Sequence, residues 1–361
     1  MIPVLAGVVP VRLRSVGYAL LLVVAIVALT ALLVSLGGYD VVRALRALWL
    51  GSVGSPYALT SATLVRAVPL ALTGCAVAIA FRAGVFNIGA EGQFLVGAAG
   101  APAIALAVPS LGIGALLLAL VAGAAAGAAW AGIAAFLRTR FGVLEVISTI
   151  MLNFVALYGV SYVVRGPLQE PTRAYPQTAS IAQAVHLPLL PGGGRLHAGL
   201  FVAVIVIAVA GWAMRHTAAG FRVLAVGESP AAAASAGLID TRAVSTAAFL
   251  VSGAIAGLAG AVEVLGVTYA LYENLSPGYG YTAIAIALLA GLDPWRVSLA
   301  ALLFAALEAG AGAMQRDAGV PATLVATIEA LIVLVVIALQ AQRTRRTADA
   351  GIAGTMQIRR G

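Results

Sequence analysis

The chain has 361 residues, 62% of them hydrophobic and 9% charged, where an ordinary soluble domain carries about 25% charged residues. No soluble core could bury that much apolar surface, and several runs approach the roughly 20 residues that cross a bilayer as a helix, so this is a polytopic membrane protein. The formal charge of +8 does not point to nucleic acid, because the basic residues, all arginine, sit at segment ends and not in a stripe with aromatic partners.

The first segment, "VRLRSVGYALLLVVAIVALTALLVSLGG", begins like a signal peptide with Arg12 and Arg14 before an apolar run. That run exceeds the 7 to 15 residues of a signal core and is therefore read as a first anchor. Hydropathy and breaker residues then give about ten spans, near 16–36, 61–81, 86–108, 112–137, 142–164, 197–214, 243–265, 280–292, 297–314 and 322–341. Stretches such as "AFLVSGAIAGLAGAVEVLGV" are apolar all round and lack the alternation of a barrel strand, so the expected fold is all-α. The eighth span is too short to cross straight, which implies a broken or re-entrant segment. Gly123 with Gly127, and Gly253 with Gly257, carry the small-xxx-small spacing of closely packed membrane helices.

Placing Arg12 and Arg14 in the cytoplasm puts both termini there and collects most arginines on that side, as the positive-inside rule requires. Residues 1–15 would then be a cytoplasmic N-terminus, 16–341 one transmembrane domain and 342–361 an Arg-rich cytoplasmic tail. The long Pro- and Gly-rich stretch 165–197 faces outward. Between spans six and seven, Ser229 and Pro230 read as an N-cap and first helical position, the alanine run as helix, and Gly237 as its end. A short cytoplasmic helix is expected there, as a plain connector or as a docking element.

Catalytic chemistry has no visible carrier. With no lysine there is no P-loop, and no nucleophile elbow is present. Cys75 is alone, which excludes internal disulfides and multi-cysteine metal sites. His186, His197 and His216 lack metal-ligand spacing and are expected to be solvated loop residues. The unusual feature is intramembrane polarity: Glu91, Glu145, Glu263, Glu308 and Glu329 fall in or near spans, where an ionised carboxylate costs at least ~2.5 kcal/mol and must be paired, hydrated or protonated. Each has a functional and a structural reading, the latter strengthened for Glu91 and Glu145 by their place early in a helix. In "FRAGVFNIGAEGQF" (81–94), Arg82 ends one helix, Gly84 and Gly89 permit irregular backbone, and Glu91 enters the next. Such a break is tolerated only where protein or a water-filled cavity covers it.

The strings "FRAGVFNIGAEGQFLVGA" (81–98), "EVISTIMLNFVALY" (145–158), "AVGESPAAAASAGLI" (225–239) and "YTAIAIALLAGLDPWRVSLAALLFAAL" (281–307) resemble the permease subunits of bacterial ABC importers for nucleosides, in the group that includes ribose and branched-chain amino acid permeases. The resemblance covers roughly residues 60 to 340. It implies a type II-like ABC importer permease fold in the bacterial plasma (inner) membrane, paired with a second, homologous permease as a heterodimer. It further implies a cytoplasmic ATPase with two nucleotide-binding halves, which would bind the ATP, so that this chain is not itself an enzyme and carries no cofactor. A binding lipoprotein would deliver the nucleoside. Gly227, Glu228, Ser229, Pro230, Ala233 and Gly237 would belong to a coupling helix, about 227–239, seated on the ATPase. Phe86, Asn87, Glu91, Gln93, Asn153, Tyr279 and Tyr281 are the candidate substrate pathway, since aromatic faces can stack on a base while amides and carboxylates meet its edges or the ribose hydroxyls. Ribose, another sugar or a branched-chain amino acid remain alternative substrates on the same architecture. A proton-coupled secondary transporter using Glu91 or Glu145 is the alternative of another class.

Overall fold

A computed structural model describes residues 11–335 apart from 193, 236–238, 322, 329, 332 and 333, with side chains from Val24 onward. The chain divides into two compact units, one made of Met1–Gly54 with Leu307–Gly361 and the other of Ser55–Ala306.

In the first unit, α1 (Val11–Leu36) is followed by α2 (Val41–Ser52). The side chain of Asp40 caps α2 by accepting the Arg43 backbone N–H at 2.9 Å. Its buried face is small, with Ala44, Ala47 and Ser52. Gly51 and Gly310 permit the approach of α2 to the later helix of this unit, because a Cβ at Gly51 would collide with Ala313 and one at Gly310 would meet the Leu48 carbonyl oxygen at 2.7 Å. Hydropathy alone passes over α2, since Arg43 and Arg46 interrupt the apolar run.

The second unit starts with α3 (Pro56–Ala58), which runs through a π-turn at Leu59–Thr63 into α4 (Leu64–Arg82). After a non-helical turn come α5 (Ala90–Ala107), α6 (Ile113–Phe141), α7 (Glu145–Arg165), α8 (Gly199–His216), α9 (Ala218–Glu228), α10 (Pro230–Ser235) and α11 (Thr241–Glu263). A second π-turn, Val264–Thr268, leads to α12 (Tyr279–Leu289), and α13 (Pro294–Ala318) begins in this unit and ends in the other.

Among the described residues seven helices are long and apolar enough to cross a membrane, and two shorter apolar ones, Val24–Leu36 and Tyr279–Leu289, accompany them. The short eighth span is thus an 11-residue helix behind a break, as its length implied. Of the expected tenth span, 322–341, residues 323–328, 330–331 and 334–335 are described and helical, and the rest lie outside the described residues.

Glycine decides which helices meet. A Cβ on Gly97 would strike the Gly257 carbonyl, one on Gly127 the Gly253 carbonyl, and one on Gly260 the Phe94 carbonyl, so α5, α6 and α11 pack backbone to backbone. In a bilayer, where apolar side chains gain nothing by exchanging lipid tails for another helix, such close contact supplies the packing energy. Pro56–Arg82 is buried over 83% of its most apolar window, against 28% for α6, α7 and α8. Hence α4 is the central helix of this unit, and α6 to α8 present apolar faces outward.

Within the 165–197 stretch, residues 178–187 run along the second π-turn and the residues that follow it. Thr178, Ile181 and Leu187 donate backbone N–H groups to the carbonyls of Leu271, Tyr269 and Leu265 at 2.8–2.9 Å. Two histidines therefore depart from the solvated-loop expectation. His186 stacks on Tyr269 with centroids 3.9 Å apart and reaches the Ile181 carbonyl at 2.8 Å. His197 is fully buried; its Nδ1 accepts the Gly199 N–H at 3.2 Å, and burial, with the Arg195 charge, lowers its pKa to about 4. His216 is exposed.

Candidate functional site

Two breaks in the helices of the second unit, 83–89 and 264–278, are joined by polar side chains. Gly84 takes φ +70°, which an L side chain rarely adopts, and turns the chain out of α4. Asn87 then forms a reciprocal amide pair with Gln93, both bonds at 3.0 Å, while its Nδ2 also donates to Ser252 Oγ at 3.0 Å and its Oδ1 accepts the Gly89 N–H. Asn153, from α7, accepts the Gly92 N–H at 2.8 Å and donates to the Ile88 carbonyl at 3.0 Å. One amide thereby satisfies an orphan donor in the first turn of α5 and a carbonyl in the break.

Glu91 does the same at longer range. Its Oε2 accepts the Gly280 N–H at 2.7 Å, so α5 supplies a carboxylate to the first turn of α12. A Cβ at Gly280 would collide with the backbone of Glu91. Ser276 completes this end of α12 by accepting the N–H groups of Gly278 and Tyr279 at 3.1 Å, and its hydroxyl also bonds Glu91.

Asn87, Glu91, Gln93, Asn153 and Tyr279 are all buried, and the four polar side chains among them spend their bonds on protein. Phe86 and Tyr281 are exposed, the first edge-on to Phe81 at 5.4 Å, the second with its hydroxyl 3.5 Å from Asn153 Nδ2. Of the seven pathway candidates, these two thus present a surface and the other five hold the breaks together. Ser252, Ser276 and Gly280 complete the network but carry no sequence signal beyond being small.

The remaining carboxylates separate. Glu145 pairs with Arg138 at 3.5 Å across the turn from α6 to α7. Glu263 is buried at the end of α11, acted on by the charges of Arg66 and Arg195. Glu329 lies outside the described residues. Glu273, not singled out by the sequence, forms a two-bond ion pair with Arg165 at 2.6 and 2.7 Å and also accepts from Ser161. These bonds hold its carboxyl down at about 2.

The short helix expected from Ser229 and Pro230 onward is α10, and a further helix, α9, precedes it, so Gly227 and Glu228 of the expected 227–239 coupling helix belong to α9. α9 ends at Glu228, and Ser229 then caps α10, its Oγ accepting the Ala232 N–H at 3.3 Å. Gly227 is pressed against the end of α4, where a Cβ would collide with the Arg82 carbonyl oxygen. Ala233 is turned inward, whereas its neighbours on α10 are exposed. Gly237 lies outside the described residues.

Residues 59–340 match the model of the family described as branched-chain amino acid transport system / permease component. The glucose ABC transporter permease protein TsgB13 of Haloferax volcanii is 41% identical over 82% of this chain and 80% of its own. The guanosine ABC transporter permease protein NupP of Bacillus subtilis is 37% identical over 90% of this chain and 94% of its own. The nucleoside ABC transporter permease protein NupB of Lactococcus lactis is 31% identical over 82% and 83%. No solved structure gives a significant match. With a family match over most of its length, an all-helical multi-pass architecture and three permease relatives above 30% identity, the chain belongs to this family of ABC transporter permease components.

Proposed function

We propose that the chain is the transmembrane subunit of an ATP-driven importer and forms a translocation pathway for nucleosides delivered by a binding lipoprotein. The observation that carries the substrate class is the match to NupP, a guanosine permease aligned over 90% of this chain. ATP is bound and hydrolysed on a separate cytoplasmic ATPase with two nucleotide-binding halves, so this subunit is no enzyme and needs no cofactor. A second, homologous permease pairs with it in the bacterial plasma (inner) membrane. Both termini and α9–α10 face the cytoplasm, and 165–197 faces outward, in keeping with the arginine distribution.

The described geometry gives this reading a mechanical route. α10 meets the ATPase; Gly227 touches Arg82 at the end of α4; the 83–89 break is held through Asn87 and Asn153; and Glu91 carries it to α12. Movement of α10 on ATP binding would shift the break and with it the first turn of α12, exchanging two states of the pathway. Exposed Phe86 and Tyr281 are the side chains placed to meet a base in passing.

A second reading keeps the architecture and takes a sugar, favoured by the 41% identity with the glucose permease TsgB13. Calorimetric titration of the partner lipoprotein with guanosine, adenosine, ribose and glucose separates the two. Heat with nucleosides supports the proposal, and heat with glucose or ribose alone rejects it.

A further inference from the structure

At the ends of α4, α6 and α11 lies a cavity of about 330 Å³ whose walls include Gly84, Arg138, Pro230, Thr241, Arg242 and Ser245. We propose that this cavity binds a phosphate oxyanion, held by the guanidinium groups of Arg138 and Arg242 with hydroxyls from Thr241 and Ser245, the headgroup of an anionic phospholipid being the form that reaches it.

Charge is the first argument. Among the described residues Arg138 pairs with one carboxylate, Glu145, through Nε at 3.5 Å, and no bond from its terminal nitrogens is found there. Arg242 forms no ion pair among the described residues. Asp240, two residues before it, keeps its own charge, but its Oδ1 is engaged as the N-cap of α11, accepting the N–H groups of Arg242 and Ala243 at 3.0 Å, and it forms no ion pair with either arginine among the described residues. Glu228 is exposed and is not among the lining residues. Against the carboxylates of Glu145 and Asp240, the two guanidinium groups still hold N–H donors, and with two hydroxyls they leave an unmet demand for acceptor oxygens, which phosphate meets through paired N–H bonds.

Depth is the second. The three helices that end here are all apolar and long enough to cross a membrane. Beside the cavity, Phe136, Phe141 and Leu144 are exposed, Phe136 and Phe141 meet edge to face at 5.9 Å, and Arg140 sits over the Phe141 ring. An arginine beside exposed apolar side chains suits the membrane boundary, where its stem lies along apolar surface and its guanidinium reaches the polar layer, and a basic pocket between helix ends at that level suits an acidic headgroup. The volume far exceeds what one or two bridging waters need.

Position gives the site a consequence. Its walls include Gly84 of the first break and Pro230 at the start of α10, so an occupant would stiffen the contact through which α10 acts on α4. Anionic lipid would then act on coupling as well as on assembly.

The test uses the assembled transporter, purified with its ATPase and partner permease, as wild type, R242Q, R138Q/R242Q and, as a charge control in the loop, R173Q. Each is exchanged into nanodiscs of phosphatidylcholine with or without phosphatidylglycerol, or kept in detergent with inorganic phosphate. Lipid retained after delipidation is counted by mass spectrometry, and thermal unfolding is followed in parallel. The proposal predicts selective retention of phosphatidylglycerol by wild type and R173Q, weakened on the order of tenfold in R138Q/R242Q by loss of charge-assisted bonds. Exposed Arg242 makes R242Q the variant that must still fold, with an intermediate loss. Saturable stabilisation by inorganic phosphate, lost in the same variants, also supports the site and names free phosphate as its source. Equal retention in all variants, with no response to phosphate, overturns it. So does loss of ATPase co-purification in R242Q with lipid and phosphate binding unchanged, which would assign the arginines to a partner's carboxylate.

Discussion

Glu91 and Gly280, 189 positions apart, are joined by a 2.7 Å bond from the Gly280 N–H to a carboxylate oxygen. The bond ties the first turn of α5 to the first turn of α12, and it makes Glu91 a cap for another helix. Glu91→Ala leaves a buried N–H without an acceptor, at a cost of about 1–3 kcal/mol. Glu91→Gln keeps an acceptor oxygen and should cost less. Thermal unfolding in a fixed detergent checks the order: Ala below Gln, Gln near wild type. Wild-type stability for Glu91→Ala would remove the capping role.

Asn153 serves two backbone groups, Gly92 N–H and Ile88 C=O. Asn153→Leu should therefore destabilise by more than a single bond, roughly 2–4 kcal/mol if both groups are orphaned. Since the same amide shapes the break, transport per folded molecule should also fall. Unfolding and uptake measured on one preparation separate the two effects.

The glycine contacts predict a contrast within one residue type. Gly127→Val collides with Gly253 on α11 and should abolish monodisperse protein on size exclusion, whereas Gly159→Ala, with no atom within 4 Å of the new Cβ, should be tolerated. Replacing glycine by alanine in an open helical site favours the helix by roughly 0.5–1 kcal/mol.

These contrasts also show what could be read beforehand. Composition and hydropathy settle the all-α membrane class, and glycine spacing marks the packing faces of α6 and α11, because both are local properties of the chain; that the two faces meet each other does not follow from the spacing. α2 escapes because its arginines break the hydropathy run, and α9 because Gly220, Arg222 and Gly227 resemble a connector. Polar residues near 81–94 stand out at once, but whether Glu91 faces a pore or a backbone amide depends on Gly280, which no nearby residue announces. Within an alanine run there is likewise no sign of which alanine turns inward.

The burial of Ala233 decides which substitution on α10 tests docking. Ala233 is buried, so Ala233→Arg should lower folded yield and says little about a partner. Ala234→Arg lies on the exposed side of α10 and should leave stability within about 0.5 kcal/mol of wild type while abolishing co-purification of the ATPase. Normal co-purification and transport in that variant would count against docking through α10.

Glu273 supplies the pH dependence. Its folded pKa is depressed from 4.5 to about 2, first by the bond to Arg165 and then by Ser161. The stabilisation is fully present above 4.5 and drains away as pH falls toward 2. Hydrogen exchange of 269–278 should be independent of this group from pH 8 to about 5 and should accelerate below about 4.5, beyond the intrinsic rate. Glu273→Gln should remove that acid dependence and give faster exchange already at pH 7.

ATP-driven nucleoside import can be measured in proteoliposomes holding this subunit, its partner permease and the ATPase, with binding lipoprotein and radiolabelled guanosine outside. Guanosine should accumulate only with internal ATP and the lipoprotein present, and accumulation should survive an uncoupler. Uptake without the ATPase that collapses with the uncoupler, or ATP-dependent uptake of glucose with none of guanosine or other nucleosides, would contradict it.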